Sequence, residues 1–200
     1  MRPTRRPLLL ALVALVALGP AGCSWNGDSE PTSFASSEGG YVQIGDIAYQ
    51  VQLSRELNIA NPEDAEYFTG VPIGLRLLQP NEEWFAIWIR AQSQTSKPRA
   101  MAADFRITDT LGTVYRPIPL PGQNPLAYRA RVLGGPGDSA QTYSGVGIAP
   151  DADSAAGRAG PVAGGVLIFR VSTDVYQNRP LILRIAGPPG TKPARIVLDL

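Results

Sequence analysis

The chain has 200 residues and a formal net charge of +1, from 18 basic and 17 acidic side chains. It contains no histidine and one cysteine, which excludes a histidine-based triad, a disulfide within the chain and a metal site built from several thiolates. The 21 glycines and 19 prolines predict a fold rich in turns and loops. We expect one domain with short appendages, and neither a metal ion nor another cofactor.

Residues 1–22 have the pattern of an export signal. Three arginines precede an eleven-residue apolar run, which is shorter than the roughly 20 residues that span a bilayer but suits the core of a signal peptide. Ala21 and Gly22 then lead to Cys23, which resembles the lipobox of bacterial lipoproteins, where cleavage precedes a cysteine that becomes lipid-modified. Pro20 departs from that motif, which normally has Leu there. We predict lipidation of Cys23, with ordinary secretion as the alternative.

The residues after the cysteine predict a tether. The segment 23–40 is mostly small, polar and acidic, so we expect a lipidated cysteine followed by a flexible linker. Without residues 1–22, which carry three of the 18 basic side chains, 15 basic and 17 acidic residues remain, a net charge of −2 that favours no nucleic-acid partner. We predict export, by the general or the twin-arginine route, and a lipid anchor on the outer face of the cell membrane.

Alternating apolar residues then predict short strands in the domain at 41–200. In chain order, seven strands are expected at 47–54, 84–92, 104–108, 114–115, 166–171, 181–185 and 195–200, and the segments 41–44 and 141–148 are candidates for a further strand. The runs 84–92 and 166–171 are apolar on both faces, which is typical of central strands. The connection 59–81 contains a short helix, for which Asn61 is the N-cap and Pro62 the first residue. Seven or eight strands with few helical patterns predict an all-β, immunoglobulin-like antiparallel sandwich.

Several segments also resemble a known family. They are 55–58, 62–64, Tyr67 and Gly70 near the start, 84–90, 105–117 and 124–128 in the middle, and 178–181 and 196–200 at the end. The resemblance is to uncharacterised actinobacterial exported proteins and lipoproteins with an immunoglobulin-like domain of unknown function, related to the fold of mycobacterial secreted immunogenic proteins. It implies a sandwich on a lipid tether and carries over no catalytic residues.

Candidate catalytic and metal-binding residues are few. Asp151 and Asp153 resemble the start of a calcium loop, but the later ligand positions are Ala155 and Val162. A serine–lysine pair would need Lys97 or Lys192, and both precede prolines. Paired carboxylates for sugar chemistry would have to come from Glu82, Glu83, Asp104 and Asp109. We predict that the protein is not an enzyme, with an unrecognised hydrolase as the least favoured alternative.

Four aromatic residues form the candidate ligand or partner face: Trp84, Trp88, Tyr115 and Tyr128. Trp84 and Trp88 share one face of their strand, so a partly open face would offer an aromatic platform for a glycan, a small molecule or a protein. The alternative is a second packing layer beneath the connection 58–81. We therefore predict a lipoprotein that binds a protein or an envelope component. A small-molecule or glycan-binding protein that uses the aromatic face and the proline-rich loop 117–128 is the runner-up.

Overall fold

The computed structural model describes residues 33–95, 97–134 and 162–199. Its strands are β1 (Phe34–Ala35), β2 (Tyr41–Ile44), β3 (Ile47–Leu57), β4 (Glu82–Ser93), β5 (Arg99–Ala100), β6 (Asp104–Thr108), β7 (Val114–Tyr115), β8 (Val132–Leu133), β9 (Val162–Ser172), β10 (Leu181–Ala186) and β11 (Ala194–Leu198). The helix α1 (Pro62–Ala65) and 3₁₀ turns at Glu66–Phe68, Ile73–Arg76 and Thr173–Gln177 lie between them.

The strands form two sheets that pack face to face. One sheet has the order β2-β3-β4-β9 and the other β1-β11-β10-β6-β7, while β5 and β8 pair as a small ribbon. The chain pairs β3 with β4, crosses to β6, returns to β9 and finishes with β10 and β11. This is the Greek-key order in which strands A, B and E of an immunoglobulin fold share one sheet and C, F and G share the other. The predicted immunoglobulin-like sandwich is confirmed.

Side-chain alternation explains the layer between the sheets. In β10, Leu181, Leu183 and Ile185 are buried, whereas Arg184 points to solvent on the opposite face. These side chains meet residues of β4 and β9 such as Phe85 in one continuous core. Its larger members, all buried, are Tyr49, Val51, Phe85, Ile87, Ile89, Phe105, Ile107, Phe169, Leu183, Ile185 and Ile196.

A second apolar layer covers the outer face of the β2-β3-β4-β9 sheet. It contains Leu57, Phe68, Val71, Trp84, Ala86, Trp88, Val166 and Ile168, with Ile59, Tyr67, Leu78, Ile118, Leu120 and Leu126 packed at its edge. The connection 58–81 and the proline-rich loop 117–128 supply the covering side chains. This explains why β4 is buried along most of its length and reads as apolar on both faces.

The proposed elements are confirmed with two corrections. Helix α1 begins at Pro62, and the Asn61 side chain accepts a hydrogen bond from the Glu63 amide, as the sequence predicts. β9 is not central among the described strands, because it ends its sheet, where the loop amide of Ile118 donates to Ile168. The candidate strand at 141–148 lies outside the described residues.

The second correction concerns the start of the domain. β1 pairs in parallel with β11, and the Gly39 amide donates to the Val51 carbonyl over 2.8 Å. The Glu38 carboxylate accepts hydrogen bonds from Ser54 and from the Asp199 amide. The predicted tether therefore does not extend to residue 40, since residues 34–40 are already held by the sandwich.

Candidate functional site

The two tryptophans of the candidate face are buried. Trp84 is 1% exposed and Trp88 is 3% exposed. Phe68 packs edge-on against Trp84 with ring centroids 5.0 Å apart, and Tyr67 packs in the same way against Trp88 at 5.1 Å. These two rings therefore do not form an exposed platform, and the alternative of a second packing layer beneath the connection 58–81 is confirmed.

Two arginines complete this covering layer. The Arg55 guanidinium lies 5.3 Å from the centre of the Trp88 ring, and that of Arg170 lies 5.1 Å from the Trp84 ring. Arg55 also forms an ion pair with the buried Asp64 at 2.5 Å, and this hydrogen bond holds the pKa of the Asp64 carboxyl below its usual value. The two guanidinium groups therefore help to hold the connection 58–81 against the outer face of the sheet, which is a structural role.

Tyr128 lies elsewhere, against the core between the sheets. Its hydroxyl donates to the Ala102 carbonyl over 2.8 Å, and the Ala102 amide donates to the Tyr49 hydroxyl over 2.6 Å. Burial raises the pKa of both Tyr128 and Tyr49. These phenols stay neutral and hold the 126–128 segment in place.

Tyr115 is the fourth candidate and lies beside the β6–β7 turn. It is half-buried, and its hydroxyl lies 3.4 Å from a carboxylate oxygen of Asp109. Burial is the main reason why the pKa of Tyr115 is raised. The structure therefore separates the four aromatic residues into a buried outer layer, which holds the tryptophans, and two sites against the inter-sheet core.

A cavity of about 370 Å³ does open beside Tyr128. It is lined by Ala103, Phe105, Pro117, Ile118, Pro119, Leu120, Tyr128, Arg129, Ala130, Val166 and Leu167. This volume falls within the range of roughly 300–1,000 Å³ that is usual for ligand sites. Apart from Arg129 and the Tyr128 phenol, the lining side chains are apolar.

Backbone contacts fix the wall of this cavity. The Tyr128 amide donates to the Val166 carbonyl over 3.0 Å, and the Val166 amide donates to the Leu126 carbonyl over 2.8 Å. This close approach requires Gly165, because a Cβ at that position would lie 2.4 Å from the Tyr128 nitrogen. The sequence indicates the loop and Tyr128 as candidates but not Phe105, because no local pattern shows that β6 faces this loop.

Exposed apolar side chains mark a second surface, on the covering connection. Ile73 is 77% exposed, Leu75 is 48% exposed and Leu77 is 64% exposed, all within five residues of the chain. The segment is held from both sides, since Arg76 donates to the Val71 carbonyl over 2.8 Å and Arg170 donates to the Leu75 carbonyl over 3.0 Å. We call residues 73–77 the apolar ridge.

The candidate acidic residues are not assembled into a catalytic pair. Glu82 and Glu83 are consecutive in β4 and therefore point to opposite faces of the sheet. Asp104 pairs with Arg106, and the Asp109 side chain accepts from the Leu111 and Thr113 amides within its turn.

The remaining candidates form no cluster in the described structure. Lys97 and Lys192 are exposed in separate loops. The described residues contain no group of three or more acidic, histidine or cysteine side chains that would hold a metal ion. No helix among these same residues is long and apolar enough to cross a membrane. Cys23, Asp151 and Asp153 lie outside the described residues.

The sheet topology defines a protein of the β-sandwich class with immunoglobulin-like strand order. No family model matches the chain, and no curated protein matches it. Among solved structures, the yjhA protein from Bacillus subtilis is similar at 11% identity and a TM-score of 0.50, over 82% of this chain and 99% of that chain. This likeness supports the fold.

Two further solved structures are similar at lower scores. A functionally unknown protein from Listeria monocytogenes EGD-e matches at 13% identity and a TM-score of 0.42, over 82% of this chain and 85% of that chain. An uncharacterized beta-sandwich protein from Clostridium difficile 630 matches at 10% identity and a TM-score of 0.37, over 83% of this chain and 94% of that chain. The relationship to actinobacterial exported proteins stays a prediction.

Proposed function

We propose that this protein is a non-enzymatic lipoprotein of the bacterial cell envelope, whose immunoglobulin-like domain binds a protein or another envelope component. The export signal and the lipobox-like sequence at Cys23 support the anchor. The observation that carries the binding role is the apolar ridge, where Ile73, Leu75 and Leu77 are exposed on a segment held by hydrogen bonds from arginine side chains to backbone carbonyls. Clustered exposed apolar side chains of this kind mark interaction surfaces, and a rigid segment loses little entropy on binding.

The anchor is tested by the intact mass of the protein recovered from membranes. We expect a diacylglyceryl-sized increment that disappears in a Cys23→Ala variant, in which the protein should leave the membrane fraction. An unmodified chain cut at another site would contradict the anchor.

The binding surface is tested by photo-crosslinking in the cells that make the protein. A photoreactive phenylalanine analogue replaces Leu75 in one variant and Leu111 in the control, because Leu111 is also exposed, at 75%, but lies in the β6–β7 turn away from the ridge. We expect a discrete crosslinked species from position 75 only, which an Ile73→Ser substitution weakens. Equal crosslinking at both positions, or reproducible turnover of a substrate by the purified protein, would refute the proposal.

The cavity beside Tyr128 favours a second candidate function, the binding of a small molecule or a glycan. The Arg129 guanidinium lies at its rim and donates to the carbonyls of Leu120 and Pro121, so one cation faces an otherwise apolar hollow. This chemistry suits a ligand with an apolar body or sugar ring and an acidic group. Native mass spectrometry of the purified protein should then detect a retained ligand.

A matched pair of variants distinguishes this candidate from carry-over of an impurity. Ala130→Trp places a large side chain in the cavity wall, whereas Ala60→Trp places the same side chain at an exposed position beside α1. Loss of the ligand from the first variant alone is the expected result. Retention of the ligand by Ala130→Trp would exclude the cavity as the binding site.

A further inference from the structure

Three arginines face one another across the outer surface of the β1-β11-β10-β6-β7 sheet. Arg184 of β10 is directly opposite Arg106 of β6 on one side and Arg195 of β11 on the other. All three point away from the core, because their neighbours Phe105, Ile185 and Ile196 are buried. We call these three residues the arginine row. Like charges directly opposite each other destabilise a sheet, so stability does not explain the row.

The acidic residues nearby neutralise only part of this charge. Asp104 pairs with Arg106 at 2.5 Å and with Arg116 at 3.5 Å. No carboxylate of the described residues forms an ion pair with Arg184 or Arg195. Asp199, the residue after β11, is four residues beyond Arg195, about 13 Å along an extended chain. The surface around Arg184 therefore carries an excess of positive charge.

The surface beside the row has space for an anionic group. A hollow of about 230 Å³ lies between Asp104, Arg106 and Arg184 on one side and Pro193 on the other. The neighbouring Lys192 is exposed in the β10–β11 turn, which adds another cation at the same end of the sheet. Guanidinium groups bind phosphate oxygens through pairs of hydrogen bonds, and at this hollow Arg184 offers such a group without a carboxylate partner among the described residues, whereas Asp104 holds Arg106.

The N-terminal segment joins the domain beside this row. In β1, Phe34 is paired with Arg195, and the Arg195 amide donates to the Ser33 carbonyl over 2.8 Å. The Phe34 ring is 49% exposed, and the Arg195 guanidinium lies 5.9 Å from its centre. An exposed aromatic ring beside cations is the combination found at the surfaces of proteins that rest on a membrane.

The length of chain before Ser33 places the row near the membrane. Nine residues lie between Cys23 and Ser33, and a random-coil chain of ten Cα–Cα steps has an r.m.s. span of roughly 16–19 Å. Electrostatic attraction to a charged surface decays over about 8–10 Å at physiological ionic strength. A lipid on Cys23 would therefore keep the arginine row within about two screening lengths of the headgroups. The headgroups would then be present at a high effective concentration around the row.

We propose that the arginine row and Phe34 dock this sheet face onto the anionic phospholipid headgroups of the membrane that holds the lipid on Cys23. The proposal rests on the lipid anchor proposed above, and it adds an orientation. The row and the covered outer layer are on opposite faces of the sandwich. Docking would therefore turn the covered face, with the apolar ridge, away from the bilayer and towards partners.

The test is vesicle co-sedimentation of a chain that begins at residue 24, which lacks the leader and the lipid but keeps every described residue. The vesicles contain phosphatidylcholine with or without about 30 mole per cent phosphatidylglycerol. This anionic lipid gives the membrane a negative surface charge that attracts basic protein surfaces. We expect salt-sensitive binding to the anionic vesicles only. The double variant Arg184→Gln/Arg195→Gln should bind about 30-fold more weakly, because each arginine near an anionic surface contributes about five-fold.

Two further double variants distinguish membrane binding by the arginine row from an effect of total charge and from a loss of the folded structure. Arg99→Gln/Arg179→Gln removes the same charge from positions outside the row and the ridge, where Arg99 pairs with the exposed Asp46 and Arg179 donates to the Tyr176 carbonyl. We expect less than a two-fold change there, and Arg184→Lys/Arg195→Lys should retain most of the binding. Equal losses in both glutamine variants, equal binding to neutral vesicles, or no binding would overturn the proposal. Since the mass of the Cys23 lipid is measured separately, a negative result in the vesicle assay would not contradict the lipid anchor.

Discussion

The two outer faces of the sandwich differ in what covers them. On the β2-β3-β4-β9 sheet, the connection 58–81 and the loop 117–128 bury Trp84 and Trp88 beneath a second apolar layer. On the other sheet, no segment of the described residues covers the corresponding face, which carries the arginine row. The two faces therefore differ in accessibility: one lies beneath a second apolar layer, and the other presents the exposed Arg184 and Arg195. The difference explains why conspicuous aromatic residues can be structural while plain strand arginines are candidates for function.

Removal of a covering side chain should give the largest effect. Phe68 is fully buried and packs edge-on against Trp84, so Phe68→Ala should lower the free energy of unfolding by about 3–5 kcal/mol. Denaturant unfolding at equilibrium measures this change. The control is Leu111→Ala at an exposed turn position, expected within about 0.5 kcal/mol of the parent. A small effect of Phe68→Ala would mean that the second layer is only loosely attached.

The ion pair beneath the cover should give the next largest effect. The Asp64 carboxylate accepts hydrogen bonds from Arg55 and, over 2.8 Å, from the Asn58 amide. Asp64→Asn should therefore lower the free energy of unfolding by about 1–3 kcal/mol.

The same residue predicts a pH dependence. Arg55 lowers the folded-state pKa of Asp64 below its ordinary value of 3.8. The stabilisation is therefore present above the unfolded-state pKa and is lost as the pH falls through the lower folded-state pKa. Acid unfolding curves should show a smaller acid-induced loss in Asp64→Asn than in the parent. Identical acid-induced losses would exclude this ion pair as their source.

Glu83 lies at the end of the inter-sheet core and should have a smaller effect on stability. The pH dependence of its contribution has the opposite sign to that of Asp64. Burial, with a contribution from the charge of Glu56, raises the pKa of Glu83 above its ordinary value of 4.5. Its contribution to stability is present below the unfolded-state pKa and is lost as the pH rises through the folded-state pKa. Glu83→Gln should therefore raise the melting temperature at pH 7, and the gain should disappear at about pH 4. The exposed Glu66→Gln serves as the control, and an equal gain there would contradict the assignment.

The arginine row should give the smallest effect on stability. Arg184→Thr removes like-charge repulsion across two strand pairs and introduces a residue that favours strands, so it should raise the free energy of unfolding by about 0.2–1 kcal/mol. The gain should be smaller at high salt, which screens the repulsion. The same substitution should weaken binding to anionic vesicles, so stability and binding would change in opposite directions. Destabilisation by Arg184→Thr would mean that the row contributes to the fold.

Local patterns were sufficient for the longer strands, the helix α1 and the class of fold. Alternation in β10, apolar residues on both faces of β4, the N-cap Asn61 and the turn glycine Gly112, whose φ is +83°, each act over a few neighbouring residues. Such signals can be read without knowing the partners of a segment. The two-residue β1 was missed because it is too short to show a period, and only its pairing with β11 defines it.

Long-range pairing determined the surfaces. Whether Trp84 and Trp88 are exposed depends on where the connection 58–81 lies, and that connection has little regular pattern. Arg106, Arg184 and Arg195 become neighbours only when β6, β10 and β11 pair in one register. Strand periodicity tells which side chains share a face, but the register between strands distant in sequence arises from packing of the whole core. For this reason the sandwich was predictable from the chain, whereas its covered and open faces emerged only from the assembled sheets.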